Sequence, residues 1–487
     1  MKQAFQTSMT RFHSLPKSIK LLFGFLLVAV LGISQSKSAD AQSGCPCGCG
    51  GTGQCLLGGA SAIQAPSEIG LRVVDRWTFT ATDGFLGNIT APQGNAATLT
   101  WGIADDGSNI SNGVNFEDSS LVSFLDGIRD PGSTGGNDLT QRNWFSLFEQ
   151  SANRISELSG VTFNFEASDD GRTFGAFNTG GVLGTRADIR IGGRSIDGQT
   201  GANTLALASF PNTGETVFDT DNTSFFSQTG NNSVAFRNVL THELFHALGI
   251  AHVESNNAGF LLEPSINTSF DGPQLDDILT LQRNYGDALE GTNNQAGNDT
   301  LNTATLLGQL LPGGSLSAGQ EVDNTAISID EVGFLSIDDD QDADFFEFNL
   351  SSLSDITFDL TPEGATYNQS VEGAAQSAFD SRALNDLGLR IFDQLGTQVA
   401  TLNQFGIGAS ESLSQTFSAG NYFVEVFGSN DDIQLYTLDI SAAVVTDPAA
   451  VPEPNSTVLM LGLFSLCQLR RRRRVALSTK KGFWWTT

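Results

Sequence analysis

The sequence predicts an α+β domain followed by an all-β sandwich domain in a chain of 487 residues. In the first half, residues 141–159 place apolar side chains at helical spacing, and segments such as residues 161–165 alternate as strands. From residue 299 onward the pattern changes to short alternating strands separated by turn residues. Residues 291–298 are rich in Asn and Gly and are typical of a linker between the two domains.

The first domain is assigned to residues 66–290. Its strands are predicted from β-branched and aromatic residues or from an alternation of apolar and polar residues. The apolar stripe of its helix predicts the face that packs on the sheet. The strands are expected at residues 76–79, 98–103, 161–165 and 187–191, and the helix at residues 141–159.

One segment carries the residues expected to perform chemistry, and it reads H-E-x-x-H-x-x-G-x-x-H. On a helix, the spacing of four between His242 and His246 stacks their imidazoles on one face. Glu243 points off that axis, where its carboxylate can act as a general base without binding the metal. Gly249 lets the chain turn back with φ > 0, which carries His252 toward the same point. Three imidazoles and one open position predict a catalytic zinc site.

The segment resembles the zinc-binding motif of the metzincin endopeptidases, and the residues around it most resemble the matrixins. The resemblance implies one zinc ion bound by His242, His246 and His252. It further implies that Glu243 is the catalytic base and that protein or peptide substrates are hydrolysed. Three core histidines that match by chance are the alternative. Because an unpaired imidazole is costly to bury, and the chain has only four histidines, the zinc site is favoured.

Residues 205–211 resemble the matrixin strand at the edge of the substrate cleft. The resemblance implies that an extended substrate adds to this edge as a further strand. Leu205 and Ala206 are therefore candidate substrate-binding residues. An ordinary buried strand is the alternative.

Residues 217–222 resemble a matrixin calcium loop, in which Asp219 and Asp221 are candidate Ca²⁺ ligands. A solvated acidic turn is the alternative. Matrixins usually hold a second, structural zinc through histidines, and this chain has Leu207 and Val217 in those places. A second zinc is therefore not expected.

After His252 the resemblance continues through residues 260–264, where matrixins have a methionine turn beneath the zinc. Leu262 occupies the methionine position, and because leucine is close in volume and equally apolar, we expect the site to tolerate it at a cost below about 1.5 kcal/mol. Ile266 replaces the family's tyrosine, which leaves the specificity pocket undefined. Residues 273–286 predict a final amphipathic helix closed by a glycine.

The second domain is assigned to residues 299–443. Its segments at residues 340–348 and 419–423 resemble the pre-peptidase C-terminal domain of secreted bacterial proteases, which implies a role in substrate or surface attachment. Alternating aspartates there are candidate Ca²⁺ ligands, with solvated acidic surface as the alternative. These candidates are Asp340, Asp342 and Asp344.

Both ends of the chain resemble targeting segments. Residues 1–41 predict a signal peptide, because basic residues precede a short apolar run and an A-x-A cleavage site; a retained membrane anchor is the alternative. Residues 444–487 resemble a PEP-CTERM sorting tail, which implies transient membrane anchoring and a membrane-embedded sorting peptidase as a partner. A disordered basic tail is the alternative, since the apolar run is short and residues 475–487 extend beyond the usual end.

A Cys/Gly-rich head at residues 42–65 follows the signal peptide. It is either a disulfide-linked or disordered segment, or the source of a thiolate that keeps the zinc enzyme latent, as in many matrixins. Its sequence does not match the matrixin latency motif. The cysteines concerned are Cys45, Cys47, Cys49 and Cys55.

The excess of acidic over basic residues argues against nucleic acid as a partner. The chain has 54 acidic and 25 basic residues, and its lysines lie only in the two ends, so the acidic body should repel nucleic acid. Together these features predict a secreted or surface-sorted bacterial zinc endopeptidase with one catalytic Zn²⁺ and Ca²⁺ as a candidate second cofactor. The alternatives are a non-catalytic adhesion or extracellular-matrix protein, and a protease limited to self-processing.

Overall fold

A computed structural model describes residues 70–86, 93–111, 115–132, 136–175, 180–200, 204–323 and 325–444. Three predicted segments fall outside the described residues: the signal peptide, the head with its four cysteines, and residues 445–487 of the sorting tail. Within the described ranges, no helix is long and apolar enough to cross a membrane.

The described residues form six α-helices, a 3₁₀ turn at Leu139–Gln141 and 22 strands. The helices are α1 Leu121–Arg129, α2 Phe145–Leu158, α3 Thr223–Phe226, α4 Gly230–Ala247, α5 Leu275–Tyr285 and α6 Thr292–Gln295. The strands are β1 Phe79–Thr80, β2 Gly84–Phe85, β3 Ala97–Ile103, β4 Asn109–Ser111, β5 Phe116–Asp118, β6 Val161–Phe165, β7 Ile189–Arg194, β8 Ala206–Ala208, β9 Thr216–Asp219, β10 Glu254–Ser255, β11 Thr305–Leu310, β12 Ser315–Ala318, β13 Leu335–Ile337, β14 Ala343–Leu350, β15 Ser354–Glu363, β16 Thr366–Ser370, β17 Ser377–Asp380, β18 Leu387–Asp393, β19 Gln398–Leu402, β20 Glu411–Phe417, β21 Gly420–Gly428 and β22 Gln434–Ala443.

The first domain is built on a five-stranded mixed sheet in the order β6-β3-β7-β9-β8. The first four strands run parallel, and β8 pairs antiparallel with β9 at the edge. This sheet, with α2 and α4 packed against it, confirms the α+β class that the sequence predicts. Of residues 76–79 only Phe79 lies in a strand, because Trp77 is instead buried and its indole donates to the carbonyl of Ala247 at 2.8 Å.

An aromatic cluster positions α4 on the sheet. The ring of Trp101 in β3 stacks on Phe145 and Phe148 of α2, with centroids 5.6 and 6.1 Å apart, and Phe148 meets Phe236 of α4 at 5.4 Å. Each such pair contributes about 0.5–1.5 kcal/mol beyond its area burial. The regular right-handed part of α4 begins at Val234, since the three preceding residues have positive φ. The histidine-bearing end of α4 is therefore held on a rigid base.

The second domain is a sandwich of two antiparallel-rich sheets, as the sequence predicts. One sheet has the order β11-β14-β21-β18-β19 and the other β12-β22-β15-β20, with β13 also paired to β22. Side chains that alternate inward from both sheets fill its core. Phe348 of β14 and Phe358 of β15 meet across that core with ring centroids 6.0 Å apart.

The predicted final helix differs from the expectation in one respect. It runs over α5 and ends at Gly286, whose φ is 70°, but all its residues are buried rather than one face alone. Leu281 and Tyr285 pack in the core of the first domain, whereas Ile278 and Leu279 pack with residues of the sandwich. The helix is covered on every side because the two domains share it.

The linker predicted at residues 291–298 is attached to both domains. The side chain of Gln295 donates to Asp83 of the first domain at 3.0 Å. Asn298 is fully buried, and its carbonyl accepts from the N–H of Phe345 in the sandwich at 2.9 Å. The domains therefore meet at a fixed junction.

Candidate metal centre

His242, His246 and His252 are brought together, and we call these three residues the histidine centre. The Nε2 atom of His252 lies 3.2 Å from that of His242 and 3.1 Å from that of His246. Two nitrogens each ~2.0–2.1 Å from a tetrahedral zinc ion lie about 3.3–3.4 Å apart. The observed separations are within a few tenths of an ångström of that value.

The opposite ring nitrogen of each histidine has an oxygen partner. Nδ1 of His242 lies 2.7 Å from the carbonyl of Leu261, and Nδ1 of His246 lies 2.7 Å from the carbonyl of Ile250. Nδ1 of His252 lies 2.8 Å from a carboxylate oxygen of Glu372, in the sandwich domain. All three imidazoles are therefore oriented by hydrogen bonds on the side away from their shared point.

These partners decide where the ring protons lie. Carbonyl and carboxylate oxygens only accept hydrogen bonds, so each Nδ1 is the donor. In a neutral imidazole the other nitrogen, Nε2, then carries no hydrogen and has a lone pair available for a metal. Burial lowers the pKa of His246, and the neighbouring His242 and His252 lower it further, which favours the neutral ring. Three nitrogen atoms that converge on one point from oriented rings are the donor set that a tetrahedral zinc ion takes. The donor set therefore fits a zinc ion.

Glu243 is buried on α4, in the position directly after His242. Consecutive helical residues are rotated by about 100°, so its carboxylate leaves the helix to one side of the imidazole. Its role as the general base stays a prediction that rests on the motif.

Gly249 makes the turn between the second and third histidines. Its φ is 92°, and a Cβ atom there would lie 1.9 Å from the carbonyl oxygen of Asp75. Its own carbonyl accepts from the N–H groups of Val74 and Asp75, at 2.9 and 3.2 Å. Only glycine satisfies both the conformation and the close approach.

The floor of the histidine centre is held by a carboxylate from α5. Asp277 accepts from the N–H of Leu261 at 2.7 Å and from that of Leu262 at 3.0 Å, and Leu261 is the residue whose carbonyl orients His242. Burial raises the pKa of Asp277 to about 7. Leu262 is buried in the methionine position, and Ile266 is half-buried against the same core.

The candidate substrate strand lies where the sequence places it in the sheet. β8 is the edge strand, and Leu205 directly precedes it and accepts through its carbonyl from the N–H of Asp219 at 2.8 Å. Leu205 and Ala206 are both buried, as are all residues of β8. The edge position agrees with a substrate-pairing role, and the burial agrees with the alternative of an ordinary buried strand.

The candidate calcium loop is a tightly bonded turn. Asp219 is buried and accepts from the N–H groups of Ile196 and Asp221, both at 3.1 Å. Asp221 accepts from the hydroxyl of Ser195 at 2.5 Å. Burial raises the pKa of Asp219, and the neighbouring Asp221 raises it further. Leu207 and Val217, at the positions where matrixins have histidines, are buried register partners across β8 and β9.

A second group of potential metal ligands lies at the domain junction. Glu290, Asp299 and Asp342 each place an oxygen within 4.8 Å of the others, and the pKa of Glu290 is raised by burial and then by neighbouring carboxylates. Asp287 and Asp344 are buried beside them. We call these five residues the junction carboxylates. Of the three candidates from the sequence, Asp342 and Asp344 belong to this cluster, whereas Asp340 is exposed and is not a member of the three-ligand group.

Sequence reasoning missed two residues at the histidine centre and three of the junction carboxylates, namely Glu372, Asp277, Asp287, Glu290 and Asp299. Glu372 and Asp277 orient the histidine centre, but neither carries a motif, and Glu372 lies 120 residues from its histidine partner. Glu290 lies directly before the predicted linker, where an acidic residue is expected to be exposed to solvent. No spacing in the sequence indicates that Glu290 will converge with Asp299.

Comparison with known proteins supports a metallopeptidase. Residues 182–286 match the matrixin family model, Peptidase_M10, and this range contains the histidine centre, Glu243 and the start and end of α5. No curated protein matches the chain.

Solved structures show likenesses at low identity. The pre-peptidase C-terminal domain of collagenase from Bacillus anthracis is 11% identical, with 28% of this chain and 96% of that chain covered and a TM-score of 0.17. A β-glucosidase from Paenibacillus barengoltzii is 8% identical, with 28% of this chain and 11% of that chain covered and a TM-score of 0.16. The family resemblance of this chain therefore rests on the matrixin match, which covers the metal centre.

Proposed function

We propose that this chain is a secreted zinc endopeptidase that hydrolyses peptide bonds in extracellular proteins. The observation that carries the proposal is the convergence of three Nε2 atoms, each on a ring oriented by an Nδ1 hydrogen bond, with the buried Glu243 directly after His242 on α4. The matrixin match over the same residues supports it.

The residues of the site have distinct roles in this reaction. His242, His246 and His252 would hold the zinc, which polarises the peptide carbonyl and lowers the pKa of water when bound. Glu243 takes a proton from the attacking water and passes it to the leaving amine. Leu205 and Ala206, at the sheet edge, would bind the substrate backbone as an added strand.

Calcium is proposed as a second cofactor, bound by the junction carboxylates. Glu290, Asp299 and Asp342 supply the oxygen ligands that Ca²⁺ prefers, and their mutual repulsion needs a cation or protons to offset it. Asp219 and Asp221 are further candidates, supported by their resemblance to a matrixin calcium loop.

Secretion and sorting are proposed from the two ends of the chain. The signal peptide at residues 1–41 would direct export, and the tail at residues 444–487 would be cut by a membrane-embedded sorting peptidase. Mass spectrometry of the exported protein tests this: termini near residue 42 and within the tail are expected, and an intact chain would contradict it.

The test of the catalytic proposal is Glu243→Ala in the full chain. The variant should keep one zinc ion, measured by elemental analysis, while cleavage of an unfolded casein substrate falls by about 10²–10⁴-fold, the usual contribution of a general base. Glu149→Ala, on the exposed face of α2, is the matched control and should leave cleavage unchanged. Undiminished cleavage by Glu243→Ala would refute the assignment. Absence of zinc from the wild-type chain would favour an adhesion protein, and cleavage of its own chain alone would favour self-processing.

A further inference from the structure

The hairpin of β16 and β17 brings the sandwich domain against the histidine centre. β16 pairs antiparallel with β10, which begins two residues after His252. In this register Glu254 lies opposite Ser370, and Ser255 lies opposite Gln369. The segment that leaves the third histidine is therefore part of a sheet completed by the other domain.

Further contacts fix the hairpin on the first domain. The hydroxyl of Tyr367 donates to Asp276 of α5 at 2.7 Å, and its ring packs edge-on against Phe260 with centroids 4.9 Å apart. Beyond β16, the N–H of Gly373 donates to the carboxylate of Glu254 at 3.1 Å. The residues between these contacts, including Glu372, are held at both ends.

Glu372 lies within this held segment, with its carboxylate 2.8 Å from Nδ1 of His252. Its side chain is 19% exposed and that of His252 is 5% exposed, so the bond is largely removed from solvent. The two other histidines donate to main-chain carbonyls of their own domain. A carboxylate is a stronger acceptor than a neutral carbonyl, so this bond is the most strongly polarising of the three.

We propose that Glu372 is a positioning residue for the metal centre, supplied by the sandwich domain to the third zinc ligand. The proposal rests on the proposed function, since it concerns the same zinc. A carboxylate that accepts from Nδ1 fixes the tautomer and orientation of the imidazole and raises its basicity as a ligand. The sandwich domain therefore contributes a residue to the histidine centre of the first domain.

The experiment measures zinc affinity in the full chain by competition with a chromogenic chelator. Glu372→Gln keeps the shape and an acceptor atom but removes the charge, whereas Glu372→Ala removes both. Loss of a hydrogen-bonding partner behind a metal ligand typically weakens metal binding by about 10–100-fold. We expect the zinc Kd of Glu372→Ala to rise by that factor. The zinc Kd of Glu372→Gln should lie between those of wild type and Glu372→Ala.

Two further readouts separate orientation of the ligand from general stability. The visible spectrum of the Co²⁺-substituted protein should change in Glu372→Ala, while the far-ultraviolet circular dichroism of the metal-free variant at 25 °C should match wild type. Glu321→Gln, which removes the same charge at an exposed position of the sandwich, should leave both the Kd and the spectrum unchanged.

The outcomes are distinguishable from failure of the proposed function. A wild-type chain that binds no zinc would remove both proposals. Wild-type binding of one zinc, with both Glu372 variants within twofold of its Kd, would overturn this inference alone. Unchanged Kd with faster cleavage in Glu372→Ala would also overturn it, because the hairpin would then be acting as a plug on the substrate cleft.

Discussion

The histidine centre and the junction carboxylates are both clusters of potential metal ligands. They differ in how stable each arrangement is when no cation is bound. The three imidazoles each have their Nδ1 atom within hydrogen-bonding distance of an oxygen, and burial lowers the pKa of His246. The junction carboxylates raise one another's pKa in addition to the effect of burial. The first cluster can persist in shape without metal, whereas the second must take up protons or a cation.

Because of this difference, we expect metal binding to affect catalysis at one cluster and folding stability at the other. Ligands already oriented by hydrogen bonds need little rearrangement when the metal leaves, so zinc should govern the chemistry at the first cluster. Carboxylates that repel one another destabilise the folded state unless they are neutralised, so calcium should govern stability at the second cluster.

The largest expected effect is that of zinc removal. Dialysis against a zinc-selective chelator should lower the cleavage rate by at least about 10³-fold, since a metal supplies several kcal/mol of transition-state stabilisation. The far-ultraviolet circular dichroism at 25 °C should not change, because the imidazoles keep their oxygen partners. Re-addition of zinc should restore the rate. Unfolding on chelation would show that the histidine centre is not preorganised and would break the comparison.

The next effect is on stability, through calcium and pH. Burial raises the pKa of Asp287 to about 7, and burial with charge repulsion raises that of Glu290 and Asp342 above their ordinary range. The folded state then binds more protons than the unfolded state, so the stability of the calcium-free protein should fall as pH rises from about 4 through 7. Calcium should reverse this loss, by about 2.7 kcal/mol at a concentration one hundred times its Kd.

Thermal unfolding at pH 5 and pH 8, with and without calcium, measures this effect. The increase in Tm on adding calcium should be larger at pH 8. Asp342→Asn is the matched variant: it should be more stable than wild type without calcium at pH 8 and should respond less to calcium. A calcium-free Tm that rises between pH 5 and pH 8 would contradict the assignment of the junction carboxylates.

A smaller effect is expected from the junction itself. Gln282 is fully buried in α5, and its side chain donates to the carbonyls of Leu158 and Phe334, one from each domain, both at 2.8 Å. Gln282→Ala should lower the free energy of unfolding by about 1–3 kcal/mol, because two carbonyls lose their donor. Urea unfolding measures it, with Gln398→Ala on an exposed strand as the control. Zinc affinity should be unaltered, and a weakened affinity would show that contacts between the domains affect the histidine centre.

The smallest effect is expected for Leu262→Met, which restores the methionine of the matrixin turn. Leu262 is buried, and a volume-conserving apolar exchange costs less than about 1.5 kcal/mol. Tm and zinc Kd should both stay close to wild type. A several-fold tighter zinc Kd would show that the sulfur atom, rather than the apolar volume, matters in this position.

Local patterns predicted much of this fold. The alternation over residues 161–165 matches β6 residue for residue, and Gly249 and Gly286 both have the positive φ that their positions suggested. The spacing of the histidine motif was sufficient to predict their convergence, because helix geometry and one glycine turn determine it. These features depend only on nearby residues.

Features that depend on distant residues were not predictable. Glu372 meets His252 across 120 residues, and no spacing rule links two domains. The apolar stripe on α5 predicted one buried face. Its other side is also buried, because the second domain covers it, and the local pattern cannot show this. Glu290 and Asp299 appeared to be solvated polar residues beside a linker, because charge alone does not show that carboxylates will converge.

The complete enclosure of α5 limits how this protein can be trimmed. If the chain were cut after residue 298, the sandwich-facing side of α5 with Ile278 and Leu279 would be exposed to water, and Gln282 and Arg283 would lose acceptors in the departed half. A shortened form ending there would be prone to aggregate. A proteolytic cut between the two domains should therefore destabilise the catalytic half of the chain.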